Sequence, residues 1–180
     1  MIGMTSNISD VVERIIVKLP TEGSPDLDAL IRTVATTMKA EIGHRVHNKG
    51  EDASGGDIGK YSKWPMTVTV DSDLGIFLKG KNGKPVKSKF YPGGYEQFKT
   101  EIGRNRLGKV NLSLSGQLAK QFTVIATANG YGLGWPNDEM PDRARKLEKK
   151  YDKKIFSGLT DDEKQLAKEV AENFVNNALS

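Results

Sequence analysis

The feature that most constrains this chain is one long amphipathic repeat running into a glycine-rich loop, across residues 24–61. Apolar residues stand at Leu27, Leu30, Ile31, Val34, Ala35, Met38, Ile42 and Val46. Those offsets keep returning to one face of a 3.6-residue helix. Ser24 suits the N-cap, because its hydroxyl accepts from an orphan backbone N–H, and Pro25 suits the first helical position, where a missing N–H costs nothing. Asp26 and Asp28 place negative charge at the positive end of the helix dipole. Arg45, His47 and Lys49 place cations at the other end, and Gly50 offers a stop. A helix of about 22 residues spans about 33 Å, most of a small domain, so the other elements are expected to pack on it.

Upstream, Ile8, Val11, Val12, Ile15, Ile16 and Leu19 also repeat with helical spacing, with Ser9 as a cap and Pro20 as a stop. This first helix either pairs with the long one as an αα-hairpin or serves as an arm (residues 1–20) that docks on a neighbour. Downstream, residues 48–63 carry four glycines and few apolar groups. Loops of this length are functional or mobile, and Ile58 and Tyr61 are expected to anchor its end. It has no Gly-Lys-Ser/Thr signature and no preceding strand, which argues against a phosphate cradle. Residues 66–70 alternate as a half-buried strand, Asp71-Ser72-Asp73 signals a turn, and 75–79 is a second short strand. Residues 80–89 form a basic turn or loop with Lys81, Lys84, Lys87 and Lys89. It reads either as a solvated hairpin tip or as a set of phosphate contacts, and lysines on exposed loops favour the first. After the Pro92-Gly93-Gly94 turn, Tyr95, Phe98 and Ile102 have helical spacing. That spacing favours packing beside the long helix over a stacking platform for single strands built from Tyr91, Tyr95 and Phe98.

Val110, Leu112 and Leu114 alternate with polar residues, and 121–128 is the most β-branched run in the chain. Asn129-Gly130 is a strong hairpin signal, with 131–135 as the returning strand. Residues 142–154 read as a charged, mostly basic helix with Ala144, Leu147 and Tyr151 as a thin apolar edge. Thr160 and Glu163 have capping-box spacing, and they open a final helix over 161–179. With no repeat and no linker, the expectation is one domain over residues 1–180. Its fold class is α+β, with long amphipathic helices packed on a small antiparallel β-sheet and with long polar loops.

Chemistry is sparse. The chain has 180 residues and no cysteine, which excludes disulfides and thiolate metal sites. No apolar run approaches the roughly 20 residues that cross a bilayer, and residues 1–10 lack the regions of a signal peptide. The net charge of +4 is a mild excess that only weakly favours nucleic acid. His44 and His47, with Glu41, have spacing that can face a metal, but no motif supplies the other ligands, and two histidines at a helix C-terminus are more often dipole caps. Ser113-x-Ser115-Gly116 lacks the first glycine of a nucleophile elbow, and Asp138-Glu139 reads as a helix start. No catalytic, cofactor or metal residue is assigned, and the chain is not expected to be an enzyme.

Four segments together resemble a known family. They are IGHRVHNKGEDASGGDIGKYS at the end of the long helix, the central VNLSLSGQLAKQF, the hairpin FTVIATANGYGLGW and the tail KLEKKYDKKIFSGLTDDEKQLAKEVAENF. In this order they resemble the virion-morphogenesis or tail-completion (head–tail joining, neck) proteins of tailed bacteriophages, over residues 27–179. Ile155-Phe156-Ser157-Gly158-Leu159-Thr160 stands where that family closes with a Gly-Leu-Ser/Thr motif. The resemblance implies a non-enzymatic α+β subunit that assembles as a homo-oligomeric ring at the head–tail junction or tail end. It implies neighbouring connector or tail proteins as partners, residence in the virion after synthesis in the bacterial host cytoplasm, and no membrane. Two departures stand out. The family's loop often carries a tryptophan where this chain has Ile58, and the basic segment 80–89 has no counterpart in the pattern. A ring subunit needs polar flaps that order against neighbours, which points to Asp57, Ile58, Tyr61 and Trp64 as a subunit-contact loop. Lys81, Lys84, Lys87 and Lys89 are candidates for non-specific contact with passing DNA. The alternative is a small basic nucleic-acid-binding module using those lysines and the basic helix at 143–154.

Overall fold

A computed structural model describes residues 27–69, 76–105, 108–113, 116–127 and 130–179. The expected N-terminal helix, the Ser24-Pro25 cap, the Asp71-Ser72-Asp73 turn, Ser115 and Asn129 lie outside the described residues. The fold is α+β. Helix α1 spans Leu27–His44 and buries Leu30, Val34, Ala35, Met38 and Ile42, the face its periodicity marks out. It does not stop there. Residues Arg45–Lys49 continue as a π-helical turn, closed by Gly50 at φ 71°. A side chain on Gly50 would press on the Val110 carbonyl, so only glycine satisfies both the left-handed backbone and the close approach.

Strand β1 (Met66–Thr69) pairs antiparallel with β4 (Ser88–Tyr91), in a register running from Met66↔Tyr91 to Thr69↔Ser88. Between them, β2 (Leu78–Lys79) and β3 (Pro85–Val86) make a minimal hairpin. Residues 80–89 are therefore not one long polar loop. Residues 80–84 are the turn of this hairpin, and 88–89 already belong to β4, because Lys89 lies opposite Val68. Helix α2 (Gly94–Glu101) follows the Pro92-Gly93 turn. A short α3 (Gln117–Gln121) leads into β5 (Thr123–Thr127), which pairs with β6 (Gly130–Gly134). Pairing extends to Thr127↔Gly130, so Gly130 is a strand residue and not a turn residue. Helix α4 (Glu139–Tyr151) starts three residues earlier than the charge pattern indicates, because Met140 is apolar and buries. Helix α5 (Asp161–Leu179) has the bounds that the capping box and apolar stripe give.

Among the described residues, two apolar clusters form. The larger gathers the buried face of α1, Ile58, Tyr61, Val110, Phe122, Trp135, Met140, Phe156 and the inner face of α5. Helix α1 is the shared element, packing on α5 and on both strands of the β5–β6 hairpin. In place of the one small antiparallel sheet expected, the described residues form three separate two-stranded antiparallel ladders. The smaller cluster joins Ile76, Leu78, Tyr91 and Phe98 under β1–β4. Tyr91 and Phe98 thus pack into a core, though not beside α1. A run of ring contacts, Tyr61–Tyr95–Phe98–Tyr91, with centroids 5.4, 5.6 and 5.5 Å apart, links the clusters.

Candidate functional site

The segments that carry chemistry in the sequence meet around the end of α1. The wider π turn points Arg45, Val46 and His47 inward in succession, which α-helical spacing does not allow, and π turns concentrate at functional sites. Arg45 Nε donates to Glu163 Oε1 at 2.7 Å, with both side chains more than nine-tenths buried. Its Nη1 donates to the Glu51 and Ile155 carbonyls at 3.3 and 3.1 Å, and its Nη2 to Gly158 at 3.2 Å. Glu163 Oε2 in turn accepts from the Thr160 N–H, and Thr160 Oγ1 accepts from Glu163 N–H. The capping box at the start of α5 is thus also the counter-ion of α1. One oxygen of Glu148 accepts the N–H groups of Ile155, Phe156 and Ser157 at 2.7, 2.8 and 3.0 Å. That turn is held from inside.

The glycine-rich loop folds against the same turn. Ala53 N–H donates to the Lys154 carbonyl at 2.8 Å, and Glu51 bridges Asp57. Asp52 is buried. Burial alone pushes its carboxyl up, but the Lys153 ammonium at 2.7 Å and the donors of Ser54 and Gly56 outweigh that and hold it down at about 2. Ile58 and Tyr61 are core residues. They anchor the loop as expected, and for that reason they offer no contact surface to a neighbour. Asp57 is exposed and paired with Lys109 at 2.6 Å. Of the four expected contact residues, only Trp64, 83% exposed, presents an apolar surface.

Trp64 has company that the sequence alone did not mark. Phe77 and Phe90 are 75% and 60% exposed. Phe77 lies between buried Ile76 and Leu78, and Phe90 precedes buried Tyr91, so strand alternation turns both rings outward. The signal was a register: Phe90 pairs with outward Thr67. At the nearby hairpin tip, Gly80 N–H donates to the Lys84 carbonyl at 2.9 Å, and Lys81, Lys84 and Lys87 stand exposed. Lys89 differs from them. Its ammonium grips both oxygens of Glu101 at 2.8 and 2.7 Å and the Lys79 carbonyl at 2.8 Å, so its charge is already met.

The two histidines do not converge. His44 Nδ1 accepts from the Asn48 amide at 2.9 Å and lines an open groove of about 320 Å³ with Glu41, Lys49, Asp161 and Asp162. His47 turns inward. Its Nδ1 donates to the Asn111 carbonyl at 3.0 Å, and its ring lies 6.1 Å from that of Phe156. Burial pushes the His47 imidazole down, and the Asn111 carbonyl opposes this. Among the described residues, no three His, Cys, Asp or Glu side chains are placed to hold a metal. Ser113 offers its carbonyl to Lys99, and Glu139 starts α4 while pairing with Arg143.

No family model, no curated protein and no solved structure matches this chain. Among the described residues, no helix is long and apolar enough to cross a membrane.

Proposed function

We propose that the chain is a non-enzymatic structural subunit of a tailed-phage virion, assembling through copies of itself into a ring at the head–tail junction or tail terminus. The observation that carries this reading is the outward set of three aromatic rings, Trp64, Phe77 and Phe90, on the β1–β4 module and its lead-in. Aromatic side chains are enriched at protein–protein surfaces, and heterologous contacts close a ring when the rotation fits. Three of the segments that carry the family resemblance also meet physically. Arg45 binds the Ile155 and Gly158 carbonyls, and His47 and Tyr61 both bond to Asn111. These three segments thus meet in one junction at the end of α1.

The test is assembly state. Mass photometry across a concentration series, with negative-stain imaging, is expected to give closed oligomers, and mass spectrometry of purified particles is expected to find the chain. Phe77→Asp with Phe90→Asp should raise the assembly midpoint at least tenfold, about 1.4 kcal/mol, without loss of helical signal. A chain that stays monomeric at high concentration and is absent from particles ends the proposal.

A second reading follows from three exposed cations, Lys81 and Lys84 on the β2–β3 turn and Lys87 between β3 and β4. They would meet phosphates without reading sequence. Three such contacts give a slope of about −3 in log affinity against log salt. A slope near zero removes DNA contact while leaving the ring untouched.

A further inference from the structure

The chain holds a positive charge that nothing described neutralises. Lys99, on the inner face of α2, is only 1% exposed. Its ammonium donates to the Ser113 carbonyl and, at 3.4 Å, to Asn111 Oδ1, and it lies 5.3 Å from the centre of the Tyr61 ring. These partners are neutral, and no carboxylate among the described residues pairs with it. A second cation stands close by. The Arg104 N–H bonds to the Lys99 carbonyl at 2.9 Å, and Arg104 Nη1 is buried with no hydrogen-bond partner among the described residues. Buried charges are ordinarily paired, because desolvation is otherwise uncompensated.

This charge borders a cavity. A space of about 250 Å³ is lined by Tyr61, Tyr95, Lys99, Leu112, Leu147 and Tyr151, with Ser113 and the exposed Lys150 completing it. Its walls are three phenol rings and two leucines, so it is mostly apolar, with Lys99 and Lys150 as the cations among its lining residues. Leu112 sits in the left-handed region at φ 49°, a conformation that is costly for a leucine. That backbone carries the Leu112 side chain to the cavity and leaves the Ser113 carbonyl on Lys99. Burial, together with the nearby Arg104 guanidinium, holds the Lys99 ammonium down at about 8.

From the apolar walls, the volume and the unneutralised cations, we infer that this cavity binds a small organic anion, a carboxylate on an aromatic or short aliphatic body. The carboxylate meets Lys99 and the body lies between the Tyr95 and Tyr151 rings and the two leucines. Apolar sites with a few convergent polar groups are the usual form of small-ligand pockets. A bare phosphate would satisfy the charge and leave the walls empty, and a neutral aromatic would do the reverse.

The experiment is a titration of the full chain with benzoate, benzamide and inorganic phosphate, followed by calorimetry and by NMR of the tyrosine rings. Benzoate is expected to saturate, with benzamide and phosphate each at least tenfold weaker. Affinity should fall about tenfold per pH unit above pH 8, as the free ammonium loses its proton. Lys99→Met is expected to abolish the preference for benzoate over benzamide, and Lys150→Ala to weaken binding only a few-fold. The pH profile of the unaltered chain tests the same point should Lys99→Met fail to fold. Absence of saturable benzoate binding overturns the inference. So does equal binding of benzamide, tighter binding of phosphate than benzoate, or an affinity flat from pH 7 to 9.5.

Discussion

Arg45 is where three backbone carbonyls and one carboxylate meet, and a residue with that many partners can be tested by removing one at a time. Arg45→Met leaves the buried Glu163 side chain without its cation partner, so chemical denaturation should show a loss of about 3–5 kcal/mol. Adding Glu163→Leu removes the stranded carboxyl, and the double variant should recover part of that loss. Two residues set the acid limb. The His47 imidazole is pushed down by burial, so the unfolded chain takes up a proton there first. Stability is complete above the ordinary histidine range and declines as pH falls through it. Asp52, held at about 2, adds a second decline between pH 4 and 2. That second decline is worth about 2 kcal/mol, and it should vanish in Asp52→Asn while the His47 decline remains. On the alkaline side the signs oppose. Lys99 at about 8 makes stability rise from pH 8 towards 10, as the unfolded chain alone keeps its proton. Tyr61 and Tyr91, each pushed up to about 12 mainly by burial, make it fall from pH 10 towards 12. Thermal melts should therefore peak near pH 10, and Lys99→Met should flatten the rise.

At the level of elements, the helices were legible where one periodicity governs the whole run. Helix α5 keeps its stripe and its Thr160–Glu163 box, and the inner face of α1 is the one its spacing marks out. Legibility failed where a tertiary contact overrides the local period. The π turn exists because Arg45, Val46 and His47 all find inward partners, and those partners lie as many as 118 residues away. The β2–β3 hairpin carries only two residues per strand, too few for alternation to register. Charge misled at α4, where the basic run hides the buried start at Met140. Gly94 shows how tightly two elements can meet. At φ 67° it opens α2, and a side chain there would collide with the carbonyl of Trp64. Gly94→Ala should cost about 2 kcal/mol or more and lower the melting temperature, whereas Gly43→Ala, which meets open space, should be neutral or stabilising.

Across the whole molecule, the sequence gives a fair account of what is buried and a poor one of what is shown to partners. Ile58 and Tyr61 were legible as loop anchors, yet anchoring removes them from any contact surface. The outward rings of Phe77 and Phe90 depend on strand parity, which follows from the β1–β4 pairing across an intervening hairpin and from a β2–β3 ladder too short to read in the sequence. The cation at Lys99 was invisible because its helix reads as ordinary, and its burial comes from residues 111–113 crossing over it. If these exposed rings are the assembly contacts, replacing all three should leave the melting temperature within a few degrees while assembly is lost, since none of them belongs to either apolar cluster. The bridge of four rings between those clusters has a mechanical consequence. A domain held at its waist by a chain of tilted and edge-on aromatic rings should open in two cooperative stages. Amide exchange is expected to be faster throughout 66–69 and 88–101 than in α1 and α5, and Tyr95→Ala should widen that gap by uncoupling the two foldons.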